Sequence, residues 1–430
     1  MFFTHNNPDD PPRDRPFEDF RYPASPNARS IVFDVIGQLQ RYEEDFKLRR
    51  RRRKADDQKT FETTVATVVC DLSHRWISEP EGWVSVSLSN GKLGRADRYK
   101  SSAMNKTLPT VLERLSSPEL SLVELRKGLQ GKFVNGLQTT IRAGKRLISK
   151  IEDHGLTLAD LSVEKHQEVI VLKTERADVF TNGEPVDYED DERTRLYREQ
   201  MNRINDWLAK ADILLDPYIG SIKGVDGSER FMRRIFNNSS FEAGGRLFGG
   251  FWQPLDKRER LQGIHIKGSP VVGLDYAQMA PRILYGMAGV NPPDGDLYHV
   301  FPYWGRRDGI KKVFNAMLNV DKPPQRFPNG TRDFFRSSTK IKDVVDAIVK
   351  HHGPISKFFF TRVGFTTMFI ESKIMVDVLL AFIEKGIVGL PIHDGIIVAE
   401  DDKETAIITM LNAFKKHTGI EGQVTIEDKS

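Results

Sequence analysis

The sequence predicts an α+β protein in which a mainly helical N-terminal region precedes an antiparallel sheet backed by helices. Three observations carry that expectation. Two apolar runs read as strands, and each ends on a carboxylate: Val271-Val-Gly-Leu-Asp275 and Pro391-Ile-His-Asp394. Upstream, apolar residues recur at helical spacing from Leu108 to about Ile151 and from Glu192 to Leu215. At about Arg230 the character changes, and short β-branched runs begin to alternate with turn signals. The reading divides the chain into a lead-in over 1–30, a mixed, mainly helical region over 31–228, and a sheet-containing domain over 229–430.

A chain of 430 residues has room for two or three domains, or for one multi-lobed enzyme with a proper core. Lys and Arg number 64 against 60 Asp and Glu, so the net charge of +4 says little about partners. Its distribution says more. The stretch Lys47 to Lys54 is basic at every position but Leu48, whereas Tyr188 to Arg193 is rich in acid. The single cysteine, Cys70, excludes an intramolecular disulfide and any multi-cysteine zinc site, and fits a reducing compartment. No stretch approaches the ~20 apolar residues of a membrane span. The residues from Met1 to Asp10 lack the basic-then-apolar order of a signal peptide, so a cytoplasmic location is expected and no membrane partner.

Element by element, the prolines at 8, 11, 12, 16, 23 and 26 make the lead-in extended or disordered. Ser30 to Lys54 reads as a helix with Ile31, Phe33, Ile36, Leu39 and Phe46 as buried candidates. Thr63 to Cys70 and Trp83 to Leu88 suggest a hairpin or small sheet, Gln167 to Lys173 a strand, and Asn182-Gly183 a turn. Downstream, Arg246 to Gln253 reads as a strand with a glycine bend. Ile264 to Lys267 and Pro270 to Asp275 form a hairpin about Gly268-Ser269. Helices are expected over 276–287, 344–350, 371–385 and 404–417, with a strand over 396–399.

Phosphoryl transfer onto a hydroxyl needs hard oxygen ligands that hold two Mg²⁺ or Mn²⁺ ions ~4 Å apart. Asp275 and Asp394 are the candidates for that catalytic and metal-binding role, with the backbone carbonyl of Tyr276 as a third ligand. Singly, either could be a polar residue closing a strand. Between them, Arg306-Arg-Asp-Gly-Ile-Lys-Lys312 sets Arg307 and Lys311 four apart on one helix face, which Asn315 and Asn319 extend. Such a face is either solvated or suited to phosphate oxygens. Upstream, Gly244 to Gln253 brings glycines together with Arg246, Phe248 and Trp252. The aromatic rings either stack on bases or pack in a core. The run Arg49, Arg50, Arg51, Arg52 and Arg53 reads as a phosphate contact or as a solvated helix end.

The stretch Asp275-Tyr-Ala-Gln-Met-Ala-Pro-Arg282 resembles motif A of family A nucleic-acid polymerases, and His393-Asp394 resembles their motif C. Single-subunit RNA polymerases share the pattern. The resemblance covers roughly 230–425 and is to a divergent member without a recognisable proofreading exonuclease. It implies a right-hand palm that extends a DNA, or RNA, primer–template from nucleoside triphosphates with two metal ions. It places Gln278, Ala280, Arg282, Arg307, Lys311 and Asn315 around the nucleotide, and His393 near the primer end. Asp294 to Phe301 resembles the family's Gly-x-Asp-Ile-His element, in which Asp296 and Tyr298 serve either as a cap and a core ring or as a nucleotide contact. Motif B is loose, since Asn315 and Asn319-Val320 stand where the family has aromatic and Tyr-Gly residues. Ala280 replaces a glutamate that crowds the ribose 2′-hydroxyl, which implies weak sugar discrimination unless Tyr276 or Tyr298 takes over. Gly395 replaces the usual motif C glutamate. Two rival functions stay open: a non-catalytic binding palm or replication initiator, and a metal-dependent nuclease.

Overall fold

The computed structural model describes residues 14–94, 98–128, 138–164, 167–175, 183–216 and 225–427. The chain forms two compact units, one of residues 1–168 with 220–226, the other of 169–219 with 227–430. The boundary expected at 228/229 thus has a counterpart at 168/169, because the strand at 170–172 pairs with the second unit. The Asn182-Gly183 turn expected from the sequence lies partly outside the described residues.

The first unit contains β1 (Arg15–Pro16), β2 (Arg21–Pro23), α1 (Pro26–Asp45), α2 (Ala55–Ser78), β3 (Val84–Val86), α3 (Asn90–Gly94) and α4 (Leu108–Leu115). It continues with β4 (Val123–Arg126), β5 (Thr139–Ala143), α5 (Lys145–Asp153) and β6 (Leu161–Val163). The sheet order is β1-β3-β5-β4, with β2 and β6 paired apart. Residues 14–30 are not a solvated lead-in. Arg15 and Arg21 reach the buried Asp71 of α2 at 2.6 and 3.1 Å, which pins β1 and β2 to the core. A lone buried carboxylate would be costly, and two guanidinium partners offset that cost.

Helix α1 starts where Ser25 caps the Ala28 N–H and Pro26 stands at the first position. It stops at Asp45, before the arginines, since like charges one turn apart oppose helix. Ile31 and Leu39 are buried as expected. Phe33 and Phe46 are exposed, Phe33 because it lies off the face that Ile31, Val35 and Leu39 share. The hairpin expected at 63–70 is instead the middle of α2. Thr64 to Arg75 are almost all buried there, and burial on every side overrides the weak helix propensity of Thr and Val. The helix expected from 108 to 151 is broken by β4 and β5, which pair with each other.

The second unit holds β7 (Ile170–Leu172), α6 (Glu192–Lys210), β8 (Ile213–Leu215), β9 (Met232–Asn237), β10 (Ser240–Gly249) and α7 (Lys257–Gly263). Next come β11 (Ile264–Ile266), β12 (Ser269–Tyr276), α8 (Met279–Ala288), α9 (Arg307–Met317), α10 (Ile341–His351) and α11 (Gly364–Glu384). β13 (Leu390–Ile392), β14 (Gly395–Ala399), α12 (Lys403–Thr418) and β15 (Val424–Ile426) complete it. The acid-rich run before α6 serves as its start signal, with Asp191 accepting from the Thr194 N–H at 2.7 Å.

The central sheet runs β13-β14-β12-β11-β8, with β15 also on β12, and its pairs are antiparallel. The β11–β12 turn is Lys267-Gly268, one residue earlier than the sequence suggested. Both residues have positive φ, as a type I′ turn requires. β10 carries a bulge, with register shifts on either side of Gly244, and packs on α11.

Candidate active site

The antiparallel pairing of β12 with β14 sets Asp275 opposite Gly395, and Asp394 is the residue before it. The Tyr276 N–H donates to the Asp394 carbonyl at 3.3 Å, so the two chain ends are tied beside Asp275 and Asp394. Asp394 lies in the two-residue link between β13 and β14, where His393 has φ 55°. A side chain is rarely held there without compensation. Compensation comes from beneath the link. The Trp252 indole N–H and the Gln253 amide both donate to the Pro391 carbonyl at 3.0 Å, and His393 meets the Phe248 ring edge-on at 6.0 Å.

The charges around Asp275 do not balance. Its carboxyl is pushed up to about 7 by burial first, then by Asp394, Glu427 and Glu371, while Lys311 pulls the other way. Glu371 is buried, and Arg246 grips it through two hydrogen bonds of 2.6 and 2.9 Å. That pair is internally neutralised, and burial still raises Glu371 above its usual range. Burial works against the Arg246 charge, but Glu371 and Asp394 more than offset it and hold the guanidinium protonated. Lys311 is the cation that acts on Asp275, while Arg246 acts on Asp394 and Arg260 on Glu427. Glu427 follows β15, donates its N–H to the Gly273 carbonyl at 2.8 Å, and lays its carboxylate where a Cβ on Gly273 would stand. Carboxylate oxygens are the ligands that divalent cations take, although among the described residues Asp275, Asp394 and Glu427 do not bring three ligand atoms within 4.8 Å of one another. Asp275 and Asp394 would be the ligands, with the Tyr276 backbone beside them.

Gly395 belongs to the same geometry. A Cβ on it would lie 3.1 Å from an Asp275 carboxylate oxygen. A larger residue there would crowd the acid it faces. Glu427 and Glu371 both act electrostatically on Asp275, and sequence reasoning found neither. Glu427 sits in a short C-terminal run without motif context, and only its pairing to β12 brings it near Asp275.

The remaining expected contacts divide. Arg307, Lys311 and Asn315 do share one face of α9, opposite the buried Ile310, Val313, Phe314 and Met317; Asn319 lies beyond the helix end. Arg307 donates to Asp296 and lies over the Tyr298 ring. Lys311 is exposed, and its charge reaches Asp275. Asp296 also accepts from the Tyr298 N–H at 3.0 Å, which closes the turn, and Tyr298 is a buried ring edge-on to Phe314. Ala280 is half-buried in the first turn of α8. His393 keeps an accessible ring, although the protein around it and the Arg246 charge lower its pKa.

Several expectations are corrected. Trp252 is fully buried and cannot stack on a base; Phe248, 38% exposed, is the accessible ring of that segment. Arg282 is buried, and among the described residues its guanidinium reaches the Glu421 carbonyl, so it packs α8 instead of facing a nucleotide. Gln278 is turned away, its side-chain oxygen accepting from the Leu297 N–H at 3.0 Å. The Tyr276 hydroxyl donates to the Met410 carbonyl at 2.6 Å inside the core, which removes it as a sugar sensor. Arg246 is committed to Glu371. In the first unit, Arg53 pairs with Glu43 at 2.6 Å and covers the Phe61 ring, so it is structural, while Arg49, Arg50, Arg51 and Arg52 lie outside any helix.

No protein-family model matches the chain, and no curated protein does. Among solved structures it is similar to the POL domain of Pol1 from M. smegmatis in complex with DNA primer-template and dNTP. The identity is 12% and the TM-score 0.27, over 86% of this chain and 72% of that one. A likeness at that score shows neither an activity nor the details of a palm. No described helix is long and apolar enough to cross a membrane.

Proposed function

We propose that the second unit is a template-directed nucleotidyltransferase that extends nucleic acid from nucleoside triphosphates. The observation that supports this is the placement of Asp275 on β12 beside Asp394 in the β13–β14 link, with the Lys311 charge acting on Asp275 from a basic helix face. Bound Mg²⁺ or Mn²⁺ would supply a sharpened 3′-hydroxyl and a neutralised triphosphate. The chain's own residues do the rest. Asp275 stands on β12 and Asp394 in the tight two-residue link between β13 and β14, tied to β12 by the Tyr276 N–H, which fixes where their oxygens stand before substrate arrives. Lys311 meets charge that builds on the leaving pyrophosphate, and Arg307 joins it when phosphate outcompetes Asp296. Arg246, locked by Glu371, keeps a fixed positive charge next to Asp394. In this reading the exposed arginines of 49–52 meet nucleic-acid phosphates, and their contribution falls steeply with salt.

Sugar choice follows from Ala280. With no bulk there, and with the Tyr276 hydroxyl bonded inside the core, ribonucleotides are rejected weakly. Ala280→Glu is expected to raise the preference for dNTP over NTP by at least tenfold, measured as the ratio of kcat/KM values. An unchanged ratio would show that the gate lies elsewhere. A second reading, a palm that binds nucleic acid without chemistry, is favoured by the pairing of Arg307 and Arg246 with acids. It predicts salt-sensitive binding with no metal-dependent turnover. Labelled primer–template, triphosphates and Mg²⁺ or Mn²⁺, with Asp394→Ala alongside, separate the two.

A further inference from the structure

Just before α9, the chain exposes two large aromatic side chains that the site above does not use. Phe301 is 72% exposed and Trp304 64%, and their rings meet edge-on with centroids 6.1 Å apart. Adjacent exposed rings form the kind of apolar patch that binding surfaces use. Their placement is fixed from within. Tyr298 and Val300 are buried, and Tyr303 packs edge-on to Phe335 at 5.7 Å. Alternation with those anchors turns Phe301 and Trp304 outward. A single helical turn, Trp304 to Arg306, then leads into α9.

We propose that Phe301 and Trp304 form a stacking platform for unpaired bases of a single-stranded template overhang. The proposal rests on the nucleic-acid reading above. The charge around the rings selects this occupant. Arg306, Arg307, Lys311 and Lys312 stand against one acid, Asp308, over the next turns of chain. Arg306 is exposed, and among the described residues its guanidinium has no partner. Gly305, between Trp304 and Arg306, has open space where a Cβ would be, so a strand can approach the backbone. Aromatic faces beside cations on a groove edge are the chemistry of sequence-tolerant single-strand binding. Two rings offer far too little area for a stable protein interface. A bilayer is disfavoured because the apolar residues of α9 point inward and leave no face to insert.

The test compares the full-length protein with F301A/W304A. Affinities are measured for a primer–template with a ten-nucleotide 5′ overhang, the same overhang made abasic, and a blunt duplex. The double variant should lose on the order of tenfold or more in affinity for the base-containing overhang. Its affinity for the blunt duplex and its circular dichroism should not change, and wild type on the abasic overhang should bind like the variant. Equal affinity of wild type and variant for the base-containing overhang overturns the platform, as does wild-type binding that ignores the loss of bases. If wild type extends the primer while the variant binds equally well, only the platform falls. If wild type binds none of the three, the nucleic-acid reading falls with it. Binding to phosphatidylserine vesicles that is lost in F301A/W304A, with no effect on oligonucleotides, would reassign the rings to a membrane surface.

Discussion

Asp275 sets the residue-scale behaviour of the site. Its folded pKa is about 7 against an ordinary 3.8, so between those values the folded state holds a proton that the unfolded chain has released. Stability of the metal-free protein should therefore fall as pH rises from ~4 to ~7, the reverse of a salt-bridged carboxylate. Asp275→Asn removes that penalty. It should stabilise the metal-free protein at pH 8 by up to ~4 kcal/mol, and by nothing at pH 4. Urea melts at the two pH values check this, and equal gains at both would show that the carboxylate is not destabilised. Added Mg²⁺ should narrow the difference by stabilising wild type alone.

The position of both acids at the ends of apolar strands was legible at this scale, since the runs before them are apolar and turn signals follow. Glu371 and Glu427 were not. A glutamate in a helix, or in a short terminal strand, carries no local sign of its partner. Trp252 and Arg282 misled for a related reason. Residue type suggests contact with a ligand, but burial decides, and burial is a property of packing.

At the scale of elements, the β10 bulge and the clamp between α11 and α12 carry the account. Gly245 has φ 82°, and a Cβ there would stand 2.7 Å from the Ser372 hydroxyl and 3.0 Å from the Phe236 ring. Gly245→Ala should cost ~1–3 kcal/mol in thermal or urea melts, because a left-handed backbone and a close contact act together. No loss would mean that the bulge relaxes freely. Asp377 on α11 accepts from His417 and Lys416 of α12 at 2.8 and 2.7 Å. The His417 bond, with help from Lys416, holds its carboxyl down at about 2. Its folded pKa is depressed, so its contribution is present above ~4 and is lost as pH falls toward 2. Asp377→Asn should cost ~1–2 kcal/mol at pH 7, discounted for solvent screening, and nothing near pH 2. A loss that does not depend on pH would point to packing instead.

In the second unit the β11–β12 hairpin, β14 and helices α8, α10, α11 and α12 were readable from glycine turns and helical spacing. By contrast, β8 lay in a segment read as helix, β9, α7 and β15 were not foreseen, and the strand expected over 246–253 is the end of β10, which starts at Ser240. The first unit was misread where β-branched residues sit in α2. Thr64 to Cys70 look like a strand by composition, yet a helix buried on every side has no polar face to reveal its period. The break of the 108–151 segment into two helices and two strands escaped for a similar reason, since short pieces do not fill a window long enough to show a repeat.

For the whole molecule, the central claim is that the second unit performs metal-dependent nucleotide addition at Asp275 and Asp394. Asp275, Asp394 and the basic face of α9 all lie within one compact unit, and the exposed arginine run lies in the other. The measurement that tests the claim most directly is single-turnover extension of a labelled primer–template by wild type and Asp394→Ala, with and without Mg²⁺, each variant checked for fold and for nucleic-acid binding. The account predicts extension by wild type with metal only, and a loss of at least a thousandfold in Asp394→Ala with binding retained, of order 4 kcal/mol in the barrier. Extension by Asp394→Ala at the wild-type rate would contradict it, as would wild-type extension without a divalent cation.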